Sequence, residues 1–224
     1  MTSGNLNNSQ ICYIAIEGVI GAGKTSVARL LAKKLNARLI LENFEENPFL
    51  EKFYMEPGKY AFRTQIFFLL ERYNHLKQLQ QKDLFTEYIV SDYIFEKDKI
   101  FAYLNLDDEE LKTYEMVTQA LDRNIVMPDL VVYLQSSAER LMSNIKKRGR
   151  RIEKEIDESY IDNLNDAYNY FFSRYKGSKV MIVNCEDSDF INNPSDFENL
   201  FAEIFKSERG AVEYYNPSLR KTAQ

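Results

Sequence analysis

Eight residues, Gly18-Val19-Ile20-Gly21-Ala22-Gly23-Lys24-Thr25, fit the spacing G-x-x-x-x-G-K-[ST]. Glycines at these places let successive backbone N–H groups curl round phosphate oxygens, and a helix opening at their end adds its positive pole. Lys24 would reach the β- and γ-phosphates of a nucleoside triphosphate, the Thr25 hydroxyl would help to hold Mg²⁺, and Ser26 continues the loop into the helix. The run follows the Ile-rich segment Ile11–Ile16 and precedes Val27, Leu30, Leu31 and Leu35 at helical spacing. That is the strand–turn–helix setting the motif requires.

Three classes of protein use such a loop, and two lack support. A regulatory GTPase needs a base-reading N/T-K-x-D and a DxxG element, and the chain has neither. A larger ATPase places an acidic pair at the end of an apolar strand, whereas Leu130–Leu134 runs into Gln135-Ser136-Ser137. A small-molecule kinase remains, which positions an acceptor hydroxyl near the γ-phosphate and closes a basic lid over it.

The composition narrows the partners. Of 224 residues, 45% are hydrophobic and 28% charged, enough for a core and against global disorder. A net charge of −5 disfavours a nucleic-acid polymer, whose phosphates call for a basic footprint. Cys12 and Cys185 stand far apart in apolar stretches, and His75 is the one histidine, so no zinc site of common spacing arises. The opening MTSGNLNNSQ has no basic and apolar leader pattern, and no apolar run is long enough for a membrane span. A cytoplasmic protein without a membrane partner is expected. There is no Trp, against 15 Tyr and 15 Phe.

The elements that must position the loop follow from periodicity. Short apolar runs predict five strands: Ile11–Ile16, Ala37–Leu41, Thr86–Val90, Leu130–Leu134 and Lys179–Val183. Helical spacing predicts Ser26–Leu35, a helix opening near Asn47-Pro48, a long helix over Lys59–Lys82, then Phe95–Leu104, Asp107–Leu121, Ser136–Lys147, Asp157–Tyr175 and Asp196–Phe205. The stretch KKRGRRIEKEI reads as a charged loop, and the tail after Gly210 shows no usable period. Strands alternating with helices give an α/β fold, a five-stranded parallel sheet flanked by helices on both faces. One domain over residues 1–224 is expected.

Four blocks then carry a family likeness: IEGVIGAGKTS, LENFEENPFLEKFYMEPGKYAFRTQIFFLLERY, SDYIFEKDKIFA and RGRRIEKEIDESYIDNLNDAY. Over nearly its whole length the chain resembles the deoxyribonucleoside kinases, in particular their bacterial deoxyadenosine/deoxyguanosine/deoxycytidine branch. The resemblance implies a P-loop kinase with an Arg-rich lid, about 146–154, and a tail, about 210–224. It implies ATP-dependent phosphorylation of a deoxyribonucleoside 5′-hydroxyl in nucleotide salvage, with Mg²⁺, in a homodimer. The long helices Lys59–Lys82 and Asp107–Leu121 carry apolar surface suited to that dimer.

Residue by residue, the resemblance implies that Glu42 is the general base, that Asp92 holds Mg²⁺ with Thr25, and that Tyr54 and Glu153 bind the sugar 3′-hydroxyl. Gln65 matches the amide that reads the base edge, and Phe101 the ring that stacks on the base. Arg72 matches an arginine paired beside the base, with Asp98 its expected partner. Arg148 and Arg150 offer planar forks to the transferred phosphoryl and the ATP tail, with Arg151 a weaker candidate. One block departs. The family carries Asp/Glu-Arg-Ser where this chain has Asp92-Tyr93-Ile94, and the interval from Asp92 to Phe101 is one residue short. Tyr93 cannot supply the missing charge, which leaves Lys97 or Lys99 to compensate. Gln65, Arg72 and Asp98 lean towards deoxyadenosine, with deoxycytidine and deoxyguanosine close behind. Two alternatives stand: a nucleoside monophosphate kinase of the thymidylate-kinase type, and a non-catalytic nucleotide-binding protein. The first needs added cations for an acceptor phosphate, and Glu42 to Tyr60 offers only Lys52 and Lys59.

Overall fold

The computed structural model describes residues 12–80, 87–121 and 125–217. Six parallel strands form one sheet in the order β2-β3-β1-β4-β5-β6: β1 Tyr13–Gly18, β2 Arg38–Ile40, β3 Ile89–Ser91, β4 Leu130–Gln135, β5 Lys179–Asn184 and β6 Val212–Tyr215. Eight α-helices lie along the described residues: α1 Lys24–Leu35, α2 Leu50–Met55, α3 Pro57–Lys77, α4 Lys97–Asn105, α5 Asp108–Leu121, α6 Ala138–Arg148, α7 Glu158–Phe172 and α8 Pro194–Ile204.

The five expected strands are present, with ends shifted by up to three residues, and Ile11 and Thr86 lie outside the described residues. The sixth strand corrects the reading of the tail. β6 is an edge strand in which only Tyr215 is buried, so it lacks the continuous apolar run that marks β1 or β4. The long helix is shorter than its apolar period: α3 ends at Lys77 and tightens into a 3₁₀ turn, Gln78–Gln80. Gln81 and Lys82 lie outside the described residues. The helix over Asp157–Tyr175 stops at Phe172, although Tyr175 still packs on Phe171 and Phe172.

Alternation along β1 distributes the core. Ile14 and Ile16 face α1 and α8 with Leu31, Val90, Val132 and Leu200, whereas Ala15 faces α6 and α7 with Val131, Tyr133 and Leu164. Burying each isoleucine contributes about 1.5–3 kcal/mol. On the second face Tyr133 stacks on Phe172 with ring centroids 4.4 Å apart. The aromatic abundance is thus largely core. A third cluster, Leu69, Leu76, Tyr93, Phe95 and Tyr114, locks α3, α4 and α5 together.

Helix ends fix the loops that bear the site. Ser137 caps α6 by accepting from the Arg140 N–H, and Asp157 caps α7 by accepting from Ser159. At the other end of α6, Gly149 (φ 65°) turns the chain into Arg150 and the 3₁₀ turn Arg151–Glu153. Strand order reverses around β1, so the crevice for a ligand lies at the carboxyl ends of β1, β3 and β2. The phosphate loop, Asp92 and Glu42 follow those three ends.

Candidate active site

The phosphate loop is shaped by glycine geometry at two places. Gly21 (φ 90°) and Gly23 (φ 88°) occupy left-handed backbone space, and a Cβ on Gly21 would stand 2.6 Å from the Leu141 carbonyl oxygen. Backbone strain alone costs on the order of 1–3 kcal/mol there. Gly21→Ala is expected to lower the melting temperature and to weaken ATP binding at least tenfold. Calorimetry and titration check this; unchanged affinity would contradict the role of the turn.

Lys24 folds back over the loop, its Nζ donating to the carbonyls of Gly18 (2.7 Å) and Val19 (3.1 Å). Burial, and then Lys97, pull its pKa down to about 8. Beneath the loop, the fully buried Glu17 accepts from Gly18 N (3.0 Å) and Ile94 N (2.9 Å), tying β1 to the segment after β3. Desolvation raises the Glu17 pKa. Thr25 Oγ1 donates to Asp92 Oδ2 at 2.6 Å, and Asp92 Oδ1 accepts from Glu42 N at 2.8 Å. One aspartate therefore links the loop to the end of β2.

Glu42 sits among cations. Its Oε1 accepts from Arg72 Nε (2.8 Å) and Nη2 (2.5 Å), and its Oε2 from Lys97 Nζ (2.7 Å). Arg72 and Lys97 hold its pKa well below the carboxylate range, against the upward push of burial. Arg72 Nη1 also contacts Asp98 Oδ1 closely, and Asp98 Oδ2 accepts from Tyr114 Oη at 3.1 Å. Burial moves Asp98 up to about 6, opposing the pull of Arg72. Asp98 thus pairs with Arg72 despite the shortened interval after Asp92.

A cavity of about 350 Å³ joins these groups. Its walls include Gly21, Gly23, Lys24, Thr25 and Ser26 on one side, and Glu42, Tyr54, Gln65, Arg72, Phe101 and Glu153 on the other, with Asp92, Arg148 and Arg150 between. Asp98 is one shell behind, reached through Arg72. Gln65 is 2% exposed and its Oε1 is buried with no protein partner. Tyr54 and Glu153 share the cavity, and the Glu153 charge helps to raise the Tyr54 pKa after burial and Tyr160. Glu153 itself is taken by Arg148, through Nε (3.1 Å) and Nη2 (2.6 Å), and more weakly by Arg150 (3.4 Å). Arg150 lies over the Phe44 ring at 4.4 Å. Arg151 stays apart, exposed and paired with Glu51.

The departure after Asp92 has a structural answer. Tyr93 turns into the core, fully buried, and the second cation beside Glu42, next to Arg72, is Lys97, which is 4% exposed. Lys99 lines a different groove. Phe44, Thr64, Tyr114 and Tyr160 also shape the site, and sequence reasoning missed them. Nothing but their helical register distinguishes them from core residues.

The family model "Deoxynucleoside kinase" matches residues 14–208. The chain belongs to the deoxynucleoside kinase family. It is 34% identical to a deoxyguanosine kinase of Bacillus subtilis over 197 residues, 86% of this chain and 95% of that protein. It is also 34% identical to a deoxyadenosine kinase of Dictyostelium discoideum, over 95% of this chain and 86% of the relative. Among solved structures, the deoxyadenosine kinase of M. mycoides with bound dATP superposes with a TM-score of 0.75 at 30% identity, covering 87% of this chain and all of that one. The same protein has been captured with dCTP, at a TM-score of 0.73. Among the described residues, no helix is long and apolar enough to cross a membrane.

Proposed function

We propose that this kinase transfers the γ-phosphoryl of ATP to the 5′-hydroxyl of a deoxyribonucleoside, deoxyadenosine first, with deoxycytidine and deoxyguanosine as further acceptors in nucleotide salvage. The observation that carries the reading is the single cavity shared by the phosphate loop and by Glu42, Tyr54, Gln65 and Glu153. Donor and acceptor meet there without a long transfer.

In this reading the loop and Lys24 cradle the donor phosphates, and Glu42 accepts the 5′-hydroxyl proton. Tyr54 and Glu153 bind the 3′-hydroxyl, and Tyr54 crowds C2′ against ribose. Gln65 offers an oxygen and an NH₂ to the base edge, Arg72, paired with Asp98 behind it, stands beside the base, and Phe101 stacks on it. Arg148 and Arg150, on the turn after α6, form the lid and exchange Glu153 for phosphate oxygens. Thr25 and Asp92, a hydroxyl and a carboxylate in contact, would hold Mg²⁺, which would supply charge neutralisation to the donor phosphates.

An ADP-release assay with ATP and the four deoxynucleosides tests this, with deoxyadenosine expected fastest and thymidine slowest. If none turns over while ATP binds, the non-catalytic alternative holds; turnover of deoxynucleoside monophosphates alone would favour the monophosphate kinase. The Lys52 and Lys59 side chains lie near the Tyr60 ring and not in the cavity wall, which weighs against an acceptor phosphate.

The same reading includes a homodimer, on a different face from the one expected. α3 and α5 spend much apolar surface on each other and on α4. Tyr103 and Tyr170, 61% and 64% exposed, instead flank a groove of about 990 Å³ between α4 and α7. Its lining holds both acidic (Glu96, Asp166) and basic (Lys99, Arg174) residues, so both charge signs are available to a two-fold copy. Sedimentation is expected to give a dimer that Tyr103→Glu with Tyr170→Glu dissociates; a persistent dimer would exclude this face.

A further inference from the structure

Both oxygens of Glu42 are occupied, which poses a problem for any hydroxyl that must approach it. Arg72 cannot readily release Oε1. It grips that oxygen with two nitrogens, contacts Asp98 with a third, and lies over the Phe68 ring at 4.9 Å. Lys97 holds Oε2 with its single ammonium, on a flexible four-carbon stem.

The position of Lys97 is itself unfavourable. It is the first residue of α4, where the helix dipole repels a cation, and it is almost completely buried. Glu42 supplies the ion pair that offsets this cost. Lys97 lines the same cavity as Glu42, Lys24 and Thr25, and its charge reaches Glu17 and Lys24 as well.

We propose that Lys97 is a positioning residue that acts as the exchangeable counter-ion of Glu42: it fixes the carboxylate, then yields Oε2 to the acceptor hydroxyl and keeps its charge beside the phosphoryl path. The inference rests on the phosphotransfer reading above. In the step it serves, the hydroxyl proton passes to Oε2 and an O–P bond forms to the γ-phosphorus. The bond to the bridging oxygen breaks, its electron pair leaving on ADP. Arg72 stays in place throughout and keeps Glu42 aimed.

Steady-state kinetics of Lys97→Met and Lys97→Ala test the assignment, with ATP affinity as the check on folding. Lys97→Met is expected to lose at least a hundredfold in kcat while the deoxyadenosine KM changes less than threefold. Lys97→Ala is expected to regain kcat saturably with ethylammonium and not with tetramethylammonium. A purely structural lysine would give no such rescue. Lys97→Met within threefold of the parent kcat, a loss confined to KM, or no amine rescue would each overturn the proposal. Should Lys97→Met not fold, Lys97→Gln and the amine rescue decide by the same criteria. A parent that phosphorylates no deoxynucleoside overturns the underlying reading and this inference with it.

Discussion

Lys24→Met is expected to abolish turnover and to stabilise the protein. In the proposed reaction its ammonium is the cation that the loop carries to the donor phosphates, and losing such a preorganised charge costs about 10²–10³-fold in kcat or more. The folded state gains because the ammonium is desolvated and close to Lys97, and both lower its pKa. A lysine whose folded pKa lies below its unfolded value binds its proton less well when folded. It therefore destabilises the protein at neutral pH, and this penalty fades as pH rises past about 8 towards 10.5. Methionine keeps the stem and discards the charge. A gain of about 1 kcal/mol would raise Tm by roughly 2–4 °C. Melting curves at pH 7 and pH 9.5 should show the larger gain at pH 7; equal Tm values for variant and parent at pH 7 would contradict the argument.

Glu42 should behave in the opposite sense. Glu42→Ala removes the proposed proton acceptor and leaves buried Lys97 without its ion-pair partner and Arg72 with Asp98 alone. Breaking a buried ion pair from one side costs about 3–5 kcal/mol, so activity and stability fall together. Glu42→Gln retains an acceptor for Arg72 and loses less stability, yet kcat still drops by about 10²–10⁴-fold, the usual range for general-base catalysis. Adding Lys97→Met to Glu42→Gln removes the stranded charge. The double variant is expected to regain much of the melting temperature and none of the turnover. Denaturation and ADP release together check this. Glu42→Gln within threefold of the parent kcat would remove Glu42 as the base.

The parts of this site differ in how plainly the chain announces them. The phosphate loop is legible because its constraint is local: backbone geometry demands glycine, and the flanking strand and helix have clear periods. Glu42, Gln65 and Arg72 were reached only through likeness to a family, since a carboxylate beside Glu45 and Glu46 looks like surface. Lys97 could be named only as one of two lysines. Its burial depends on Glu42, 55 residues earlier in the chain, and no local pattern records that pairing. β6 escaped for another reason. An edge strand hydrogen-bonds on one side and buries little, so its Val-Glu-Tyr-Tyr resembles a loop until β5 is present to pair with it.

The central place of β1 bears on how the protein is made. β1 pairs with β3 on one side and β4 on the other, and Tyr13 N bonds the Asp129 carboxylate 116 residues away. Such distant closures are entropically expensive and slow. On the ribosome, the phosphate loop therefore emerges before β3 and β4 and is framed on both sides only after them. A nascent chain cut short before β4 has every residue of the phosphate loop, but β1 is unpaired on one side and the lid arginines Arg148 and Arg150 are missing.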